Sequence, residues 1–187
     1  MKLYDVAVIG GGPAGMMAAG RAAQLGAKVV LLEKNAKPGK KLLIIGGGRC
    51  NITNAEFDIR TMVSRYGPKG KALFGSFTRF GVQETFDFFQ GRGLRLGIEA
   101  EKRAFPASNK AEDVWRVMVD YVKEVGIEVR MSSPIRGFRI DGNHIAAVQV
   151  ERGEVVADRY ILATGGKSRP ETGSTGEGFG FLKKNRP

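Results

Sequence analysis

The chain has 187 residues, of which 27 are glycine, and its formal net charge is +11. Its 42% hydrophobic and 26% charged residues are typical of globular proteins and exclude a wholly disordered chain. The glycines do not recur at every third position, which excludes collagen, and the single cysteine, Cys50, excludes an intramolecular disulfide and a cysteine-rich metal site.

The sequence predicts a cytoplasmic protein with no membrane partner. No apolar run approaches the ~18 residues of a membrane span. The apolar run near the N-terminus, Val6 to Ile9, is too short for a signal peptide.

A strand, a glycine motif and a helix are predicted at the N-terminus. Tyr4–Ile9 is rich in β-branched residues and reads as a buried parallel strand, and 14–25 reads as a helix that ends at Gly26. Between them lies Gly10-Gly11-Gly12-Pro13-Ala14-Gly15, which has the spacing G-x-G-x-x-G. In a dinucleotide site the first glycine permits the turn, the second lets a pyrophosphate approach, and the third lets the helix pack closely.

A second strand over 28–32 ends at Glu33, which lies 18 residues after Gly15. An acidic residue is expected at about 20 residues, where it binds the ribose hydroxyls, and it favours an unphosphorylated ribose over NADP. These features predict a dinucleotide site. The alternative is a glycine-rich turn that binds nothing.

The segment from Lys34 to Ala55 favours FAD over NAD. It contains the cations Lys34, Lys37, Lys40, Lys41 and Arg49, contains no acid, and includes Gly46-Gly47-Gly48-Arg49-Cys50-Asn51-Ile52-Thr53-Asn54. Such a loop can press its backbone against a ligand, and its cations suit a pyrophosphate. The alternative is a solvated basic loop. A later strand over 159–163 leads into Ala163-Thr164-Gly165-Gly166, the form of the segment that closes the dinucleotide domain of many flavoproteins.

Together these motifs resemble the BaiN-like flavoproteins, also known as aminoacetone-oxidase-type FAD-binding proteins. The resemblance covers residues 4 to 178 and includes Arg103-Ala104-Phe105-Pro106 and the segment from Ala163 to Pro170. It implies bound FAD and a redox reaction, and an enone reductase is one activity of the family. It also implies backbone contacts to adenine at Ile135. Ile45 departs from the family, which usually carries serine at that position.

The motifs and the resemblance predict one set of cofactor-binding residues. These are Gly10, Gly12, Pro13, Ala14, Gly15, Glu33, Lys34, Lys41, Gly46, Gly47, Gly48, Arg49, Cys50, Asn51, Ile135, Ala163, Thr164, Gly165 and Gly166.

The middle of the chain predicts helices over 71–80 and 82–90, the second burying Val82, Phe86 and Phe89. The phenylalanines of this region are interpreted as core, with a flavin or substrate box as the alternative. A helix capped by Asn109 is expected to run to about Val125. A third parallel strand over 127–131 and a meander over 135–140, 145–151 and 154–157 follow.

The predicted fold class is α/β: a Rossmann-like FAD-binding domain with a parallel sheet, crossover helices and a three-stranded meander. We expect the FAD-binding domain to span 1–170 and residues 171–187 to begin a connection to a substrate domain. Family members are longer, so the substrate domain and a C-terminal return segment are expected to be missing here.

The predicted function is FAD-dependent oxidoreduction, with hydride passing from NAD(P)H to an unsaturated or carbonyl organic substrate. The alternative is a truncated, non-catalytic fragment that binds the cofactor weakly or not at all. The substrate and the catalytic residues are not identified, and no metal is expected.

His144 is interpreted as a solvated turn residue and Cys50 as a packed thiol. A nucleic-acid partner is not expected, because the cations are spread along the chain except in 34–49.

Overall fold

The structure is a computed structural model that describes residues 4–184. The chain forms two compact units. The first contains the described residues up to Lys41 and those from Met118 onward, and the second is Leu42–Val117.

The helices and strands are, in chain order, β1 (Tyr4–Ile9), α1 (Pro13–Gln24), β2 (Val29–Leu32), β3 (Thr53–Asn54), α2 (Ile59–Ser64), α3 (Phe74–Arg79), α4 (Val82–Gln90), β4 (Leu96–Glu99), β5 (Arg103–Pro106), α5 (Ala111–Glu124), β6 (Glu128–Arg130), β7 (Ile135–Asp141), β8 (His144–Val150), β9 (Gly153–Val155), β10 (Ala157–Leu162) and α6 (Glu177–Lys184). Short 3-10 turns occupy Ile45–Gly48, Gly67–Leu73, Ala100–Lys102 and Pro170–Thr172.

A four-stranded parallel sheet forms the centre of the first unit, with the strand order β10-β1-β2-β6. All four strands were predicted, and their observed ends differ from the predicted ones by no more than two residues. Because β1 has β2 on one side and β10 on the other, the strand order reverses beside β1. In open α/β sheets, ligands bind at such a reversal, beyond the carboxyl ends of the strands.

The two faces of this sheet are covered by different elements. One face, with Ala7, Ile9, Val30 and Leu32, packs against Val148 of the meander. The opposite face receives α1, which contacts β1, β2 and β10. Since side chains alternate between the faces of a strand, both faces are apolar, as the sequence indicates.

The predicted meander is confirmed. Strands β7, β8 and β9 form an antiparallel three-stranded sheet in chain order. Its buried residues Val148 and Val155 share a hydrophobic cluster with Tyr4 and Ala157 of the parallel sheet.

The second unit contains a sheet that the sequence analysis did not predict. Strands β3, β5 and β4 pair antiparallel in the order β3-β5-β4. The core of this unit includes Met62, Val82, Phe86 and Ala104. The three strands have two to four residues each, too few for the alternation of side chains to be read from sequence.

The aromatic residues of this unit divide between core and surface. Phe86 and Phe89 of α4 are buried, as predicted, whereas Phe74 is 42% exposed and Phe80 is 44% exposed. The interpretation of the whole cluster as core is therefore too broad.

Two predicted helix boundaries differ from the structure. The helix expected over 71–80 is a 3-10 turn, Gly67–Leu73, followed by α3. Helix α5 begins at Ala111, not after Asn109. Asn109 has a left-handed backbone with φ of 56°, and its Oδ1 accepts a hydrogen bond from Nη1 of Arg49 at 3.0 Å, so it does not cap the helix.

Among residues 4–184, none of the helices combines the length and the apolar character needed to span a bilayer.

Candidate functional site

A cavity of about 270 Å³ lies in the first unit at the carboxyl ends of β1, β2 and β10. Its walls are formed by Ile9, Gly10, Gly12, Pro13, Ala14, Leu32, Glu33, Lys34, Asn35, Gly39, Lys40, Lys41, Ser133, Ile135, Ala163, Thr164, Gly165, Thr172, Gly173, Ser174 and Glu177. The structure thus brings together the glycine motif, the acid after β2 and the segment after β10. The volume is slightly below the ~300–1,000 Å³ of small-molecule sites, which suits one part of a dinucleotide.

The three glycines of the motif have different surroundings. Gly10 has φ of +105°, and a Cβ there would lie 2.5 Å from the carbonyl oxygen of Ala163. A Cβ on Gly15 would lie 1.8 Å from the carbonyl oxygen of Gly10, so the fold itself requires both glycines. Gly12 is different: its φ of −73° and ψ of 178° suit any residue, and no described atom lies within 4 Å of a Cβ built there. Gly12 is also one of the residues that line the cavity.

Glu33 is 5% exposed, and its carboxylate organises the loops around the cavity. Oε2 accepts a hydrogen bond from the backbone N–H of Gly11 at 2.6 Å. Oε1 accepts from the backbone N–H and from Nδ2 of Asn35, each at 2.7 Å. A carboxylate oxygen has two lone pairs, so these bonds leave capacity for a ligand hydroxyl.

The cations that follow β2 contact the segment that follows β10. Nζ of Lys34 lies 2.8 Å from Oε1 of Glu177, and Nζ of Lys40 donates to the carbonyl oxygen of Glu171 at 2.9 Å. Nζ of Lys41 lies 3.4 Å from Oγ of Ser168. Lys34 is therefore paired with a carboxylate, and its predicted role beside a pyrophosphate stays a prediction.

Two further backbone segments complete the walls. The N–H of Ala163 donates to the carbonyl oxygen of Ile9 at 2.8 Å. This bond holds the segment after β10, which includes Thr164 and Gly165, beside the end of β1. The N–H of Ser133 donates to the carbonyl oxygen of Glu33 at 2.8 Å, which holds the strand leading to Ile135 at the cavity. Gly166 and the buried Gly15 lie outside the lining.

The motif from Gly46 to Asn51 lies in the second unit. Gly46, Gly47 and Gly48 have φ values of 59°, 67° and 82°, so three successive residues adopt a left-handed backbone that favours glycine. Cys50 also has a positive φ, of 60°, and its side chain is buried. Burial raises the pKa of the Cys50 thiol to about 11, so the thiol is protonated at neutral pH.

Arg49 of this motif forms a bidentate ion pair. Its Nη1 and Nη2 lie 2.7 and 3.0 Å from the two carboxylate oxygens of Glu99, and its guanidinium lies 4.0 Å from the ring centre of Phe105. The hydrogen bond to Arg49 holds the pKa of the Glu99 carboxyl below its ordinary value. These contacts hold Arg49 against β4 and β5.

A family model, described as the HI0933-like protein Rossmann domain, matches residues 4–186. The chain belongs to this family. The HI0933-like domain is 27% identical over 186 residues to the ribosomal RNA dihydrouridine synthase of Escherichia coli, covering 96% of this chain and 44% of that relative. It is 28% identical over 183 residues to the 3-dehydro-bile acid delta(4,6)-reductase of Clostridium scindens, covering 95% of this chain and 43% of that relative. The HI0933-like domain thus spans less than half the length of these relatives.

Solved structures share the fold of the HI0933-like domain. The open conformation of a flavocytochrome c3 fumarate reductase matches with a TM-score of 0.73 and 20% identity, over 98% of this chain and 40% of that one. A 3-ketosteroid-delta4-(5alpha)-dehydrogenase from Rhodococcus jostii matches with a TM-score of 0.67 and 17% identity, over 87% of this chain and 46% of that one. These matches confirm the predicted Rossmann-type fold. The family confirms the predicted resemblance and supports the class of FAD-binding oxidoreductases.

The sequence analysis missed several residues of the cavity in this HI0933-like domain. They are Ile9, Leu32, Asn35, Gly39, Ser133, Thr172, Gly173, Ser174 and Glu177, and Lys40 was named only as one of the cations after the second strand. A signal existed for Glu177, because it lies in the glycine-rich segment from Gly173 to Gly178, which follows the motif after β10. The buried polar residues Thr172 and Ser174 could not be recognised from sequence, since their burial arises from tertiary packing.

His144, the one histidine of the chain, lies outside the cavity lining. The side chain of His144 is 70% exposed and lies 3.9 Å from Asp141. Within residues 4–184, the structure contains no group of three or more His, Cys, Asp or Glu side chains that could hold a metal ion.

Proposed function

We propose that the protein is an FAD-dependent reductase that adds hydride to a carbon–carbon double bond or a carbonyl group of an organic substrate. In this proposal the chain supplies part of the FAD site. The observation that carries the proposal is the open Cβ position of Gly12, because the fold does not require glycine there and a closely approaching ligand does.

The residues of the cavity fit the adenosine diphosphate part of FAD. The first N–H groups of α1, which begins at Pro13, would bind the pyrophosphate, and Glu33 would bind the ribose hydroxyls. The backbone of Ser133 and Ile135 would contact the adenine. Lys41, whose contact with Ser168 is long at 3.4 Å, is the cation most easily turned toward a phosphate.

When bound, FAD would supply the hydride chemistry, with NAD(P)H as the electron donor. The names of the relatives support reduction of a double bond. The Clostridium scindens relative is a delta(4,6)-reductase, and the product named for the Escherichia coli relative is a dihydro form of uridine. The substrates in these names are chemically unlike each other, so the proposal extends to the bond that is reduced and not to the molecule that carries it.

The alternative is a dinucleotide-binding fragment without catalytic activity. It is supported by the coverage of the relatives, of which the chain spans 44% and 43%. Both proposals assign dinucleotide binding to the cavity, but only the first expects catalytic turnover of a substrate.

The experiment uses the full-length protein that contains this chain. We expect it to purify with a flavin absorbance spectrum and to release FAD on heat denaturation, identified by chromatography against FAD, FMN and NAD standards. We also expect it to oxidise NADH or NADPH when an enone is supplied. Release of NAD in place of FAD would contradict the cofactor assignment, and a bound FAD that no nicotinamide reduces would contradict the donor.

A further inference from the structure

We propose that the first unit contains a second site, which binds the phosphate group of a small molecule in a cavity of about 440 Å³. This phosphate site is lined by Arg130, Ser132, Ser133, Val150, Glu151 and Arg152. The inference is independent of the proposed reductase activity. It rests on the charge of the lining, on donor groups without partners, and on the backbone conformation of Ser132.

Arg130, the last residue of β6, is held in place by two neighbours. Its Nε donates to Oε1 of Glu128 at 2.8 Å, and its Nη2 donates to the hydroxyl oxygen of Tyr4 at 2.8 Å. A guanidinium has five N–H groups, and within the described residues those on Nη1 of Arg130 have no hydrogen-bond partner. Arg130 therefore offers donors whose position is already fixed, which lowers the entropy lost when an anion binds.

Arg152 supplies the second cation, from the turn between β8 and β9. It is exposed, and no carboxylate of the described residues lies within 4.0 Å of its guanidinium. The carboxylate in the lining, that of Glu151, lies 2.9 Å from Nη2 of Arg136. With Glu128 included, three guanidiniums accompany two carboxylates, so the surroundings of the phosphate site carry a net positive charge. Guanidinium groups match the geometry of phosphate oxygens.

A hydroxyl group of the lining favours phosphate over a carboxylate. Within the described residues the Ser132 hydroxyl group has no hydrogen-bond partner, whereas Oγ of Ser133 donates to the carbonyl oxygen of Met131 at 3.0 Å. A carboxylate has two oxygens, which one guanidinium can satisfy, but the phosphate group of an ester has three terminal oxygens. Two guanidiniums and a free hydroxyl group therefore suit a phosphate better.

Ser132 has a backbone conformation that is uncommon for its residue type. Its φ of 49° lies in the left-handed region, and its N–H donates to the carbonyl oxygen of Asn35 at 3.0 Å. Left-handed residues other than glycine concentrate at sites that clamp a ligand. Glycine would adopt this φ without strain but would lack the hydroxyl group. The presence of serine at this position therefore indicates that the hydroxyl group has a role.

The phosphate site shares a wall with the cavity proposed for FAD but has different cations. Ser133 lines both cavities. Lys41 lines only the FAD cavity, and Arg152 lines only the phosphate site. A phosphate in the second cavity thus depends on Arg152, whereas a phosphate at the pyrophosphate position depends on Lys41. Variants of these two residues can therefore locate a bound phosphate.

The size of the phosphate site favours an ester over a free phosphate ion. Its volume lies within the ~300–1,000 Å³ of small-molecule sites, and a phosphate ion alone would fill only a small part of it. Val150 adds an apolar side chain to the lining, which suits the carbon atoms of an ester. Free phosphate and a phosphate ester share the chemistry that the guanidiniums recognise, so the experiment compares the two.

The experiment measures binding of glycerol 3-phosphate and of inorganic phosphate to the full-length protein by isothermal titration calorimetry in a chloride buffer. We expect saturable binding of the ester with a Kd below about 1 mM, and weaker binding of inorganic phosphate. Binding of inorganic phosphate alone would support the site and identify the free ion as its ligand. Acetate and glycerol, which supply the carboxylate and the carrier without phosphate, should not saturate the protein below about 10 mM.

Two variants test the lining. Arg152→Gln should weaken binding of the ester about tenfold or more, because it removes charge-assisted hydrogen bonds. Ser132→Gly should weaken it about threefold to tenfold without lowering the Tm, because glycine adopts the left-handed backbone readily. A purely structural role of Ser132 would change the Tm and leave the affinity unchanged.

Matched control variants change the same residue types elsewhere. Arg159→Gln removes another exposed guanidinium, and Ser76→Ala removes another exposed hydroxyl group. We expect each to change the affinity for the ester less than about twofold. Circular dichroism verifies that every variant is folded.

Three results would overturn the proposal. The first is no saturable binding of either phosphate compound, or the same loss in Arg159→Gln as in Arg152→Gln. The second is binding of acetate as tight as that of the ester. The third is a loss of binding in Lys41→Gln with no loss in Arg152→Gln, since the phosphate would then occupy the FAD cavity. The flavin spectrum of the purified protein tests the reductase proposal separately, so the failures of the two proposals are distinguishable.

Discussion

At the scale of single residues, the glycines of the first motif show which requirements belong to the fold and which to a ligand. Gly10 and Gly15 are required by close backbone contacts, whereas Gly12 has no neighbour within the described residues that would exclude a side chain. A methyl group at position 12 should therefore affect the ligand and not the fold.

We predict that Gly12→Ala leaves the free energy of unfolding of the apoprotein within about 0.5 kcal/mol of the wild-type value. It should weaken FAD binding by about 1–3 kcal/mol, roughly tenfold to a hundredfold, because the added methyl group occupies the space of the ligand. Urea unfolding and flavin fluorescence titration measure the two quantities.

Gly97→Ala is the matched control, since a Cβ on Gly97 of β4 also meets nothing within 4 Å. It should change both the free energy of unfolding and the free energy of FAD binding by less than about 0.5 kcal/mol. An unchanged FAD affinity in Gly12→Ala would show that no ligand approaches this glycine.

At the scale of elements, the approach of α1 to α5 determines how the parallel sheet is covered. A Cβ on Gly20 would lie 2.1 Å from the ring of Tyr121, which is buried, and the Tyr121 hydroxyl group donates to Oε1 of Gln24 at 3.1 Å. Gly20 therefore lets the two helices pack at a short distance, although glycine within a helix costs up to about 1 kcal/mol relative to alanine.

We predict that Gly20→Ala lowers the free energy of unfolding by about 1–3 kcal/mol, because the collision with Tyr121 outweighs the gain in helix propensity. Tyr121→Leu should cost stability by itself but should remove most of the effect of Gly20→Ala in the double variant. A double-mutant cycle by urea unfolding measures this coupling, and additive effects would contradict the close contact.

At the scale of the whole molecule, the chain spans 44% of its Escherichia coli relative, and its cavity of about 270 Å³ accommodates one part of a dinucleotide. We propose that the cavity supplies only part of the contacts that hold FAD. Binding to a partial site is weaker, since fewer groups compensate for the entropy lost on association.

We predict that the 187-residue chain alone oxidises no NADH or NADPH in the presence of added FAD and an enone. It should also bind FAD at least about tenfold more weakly than the full-length protein, a difference of about 1.4 kcal/mol. Stopped-flow absorbance and fluorescence titration on both proteins measure this. Turnover by the chain alone would contradict the fragment alternative.

The sequence predicted the first unit well because its signals are local. The apolar run of β1, the spacing of Gly10, Gly12 and Gly15, and Glu33 after β2 follow one another along the chain. The second unit was predicted poorly. Its strands β3, β4 and β5 are short, and Asn109 has the residue type of a helix cap but a side chain that accepts from Arg49.

The binding roles of the predicted residues remain predictions. The cavity gathers Gly10, Glu33, Lys34 and Thr164, but contact with a ligand is a property that the experiments above must measure. The expectation of no nucleic-acid partner is also untested.

The sequence by itself determined the family and the parallel strands, because each depends on short patterns of residue type and spacing. Only the tertiary structure decided which groups share the cavity and which of them already have partners. It showed that Glu33 accepts hydrogen bonds from Gly11 and Asn35 and that Lys34 forms an ion pair with Glu177. It also showed that, of Gly10, Gly12 and Gly15, only Gly12 has no described atom within 4 Å of an added Cβ. These facts depend on contacts between residues far apart in the chain, and residue spacing carries no information about them.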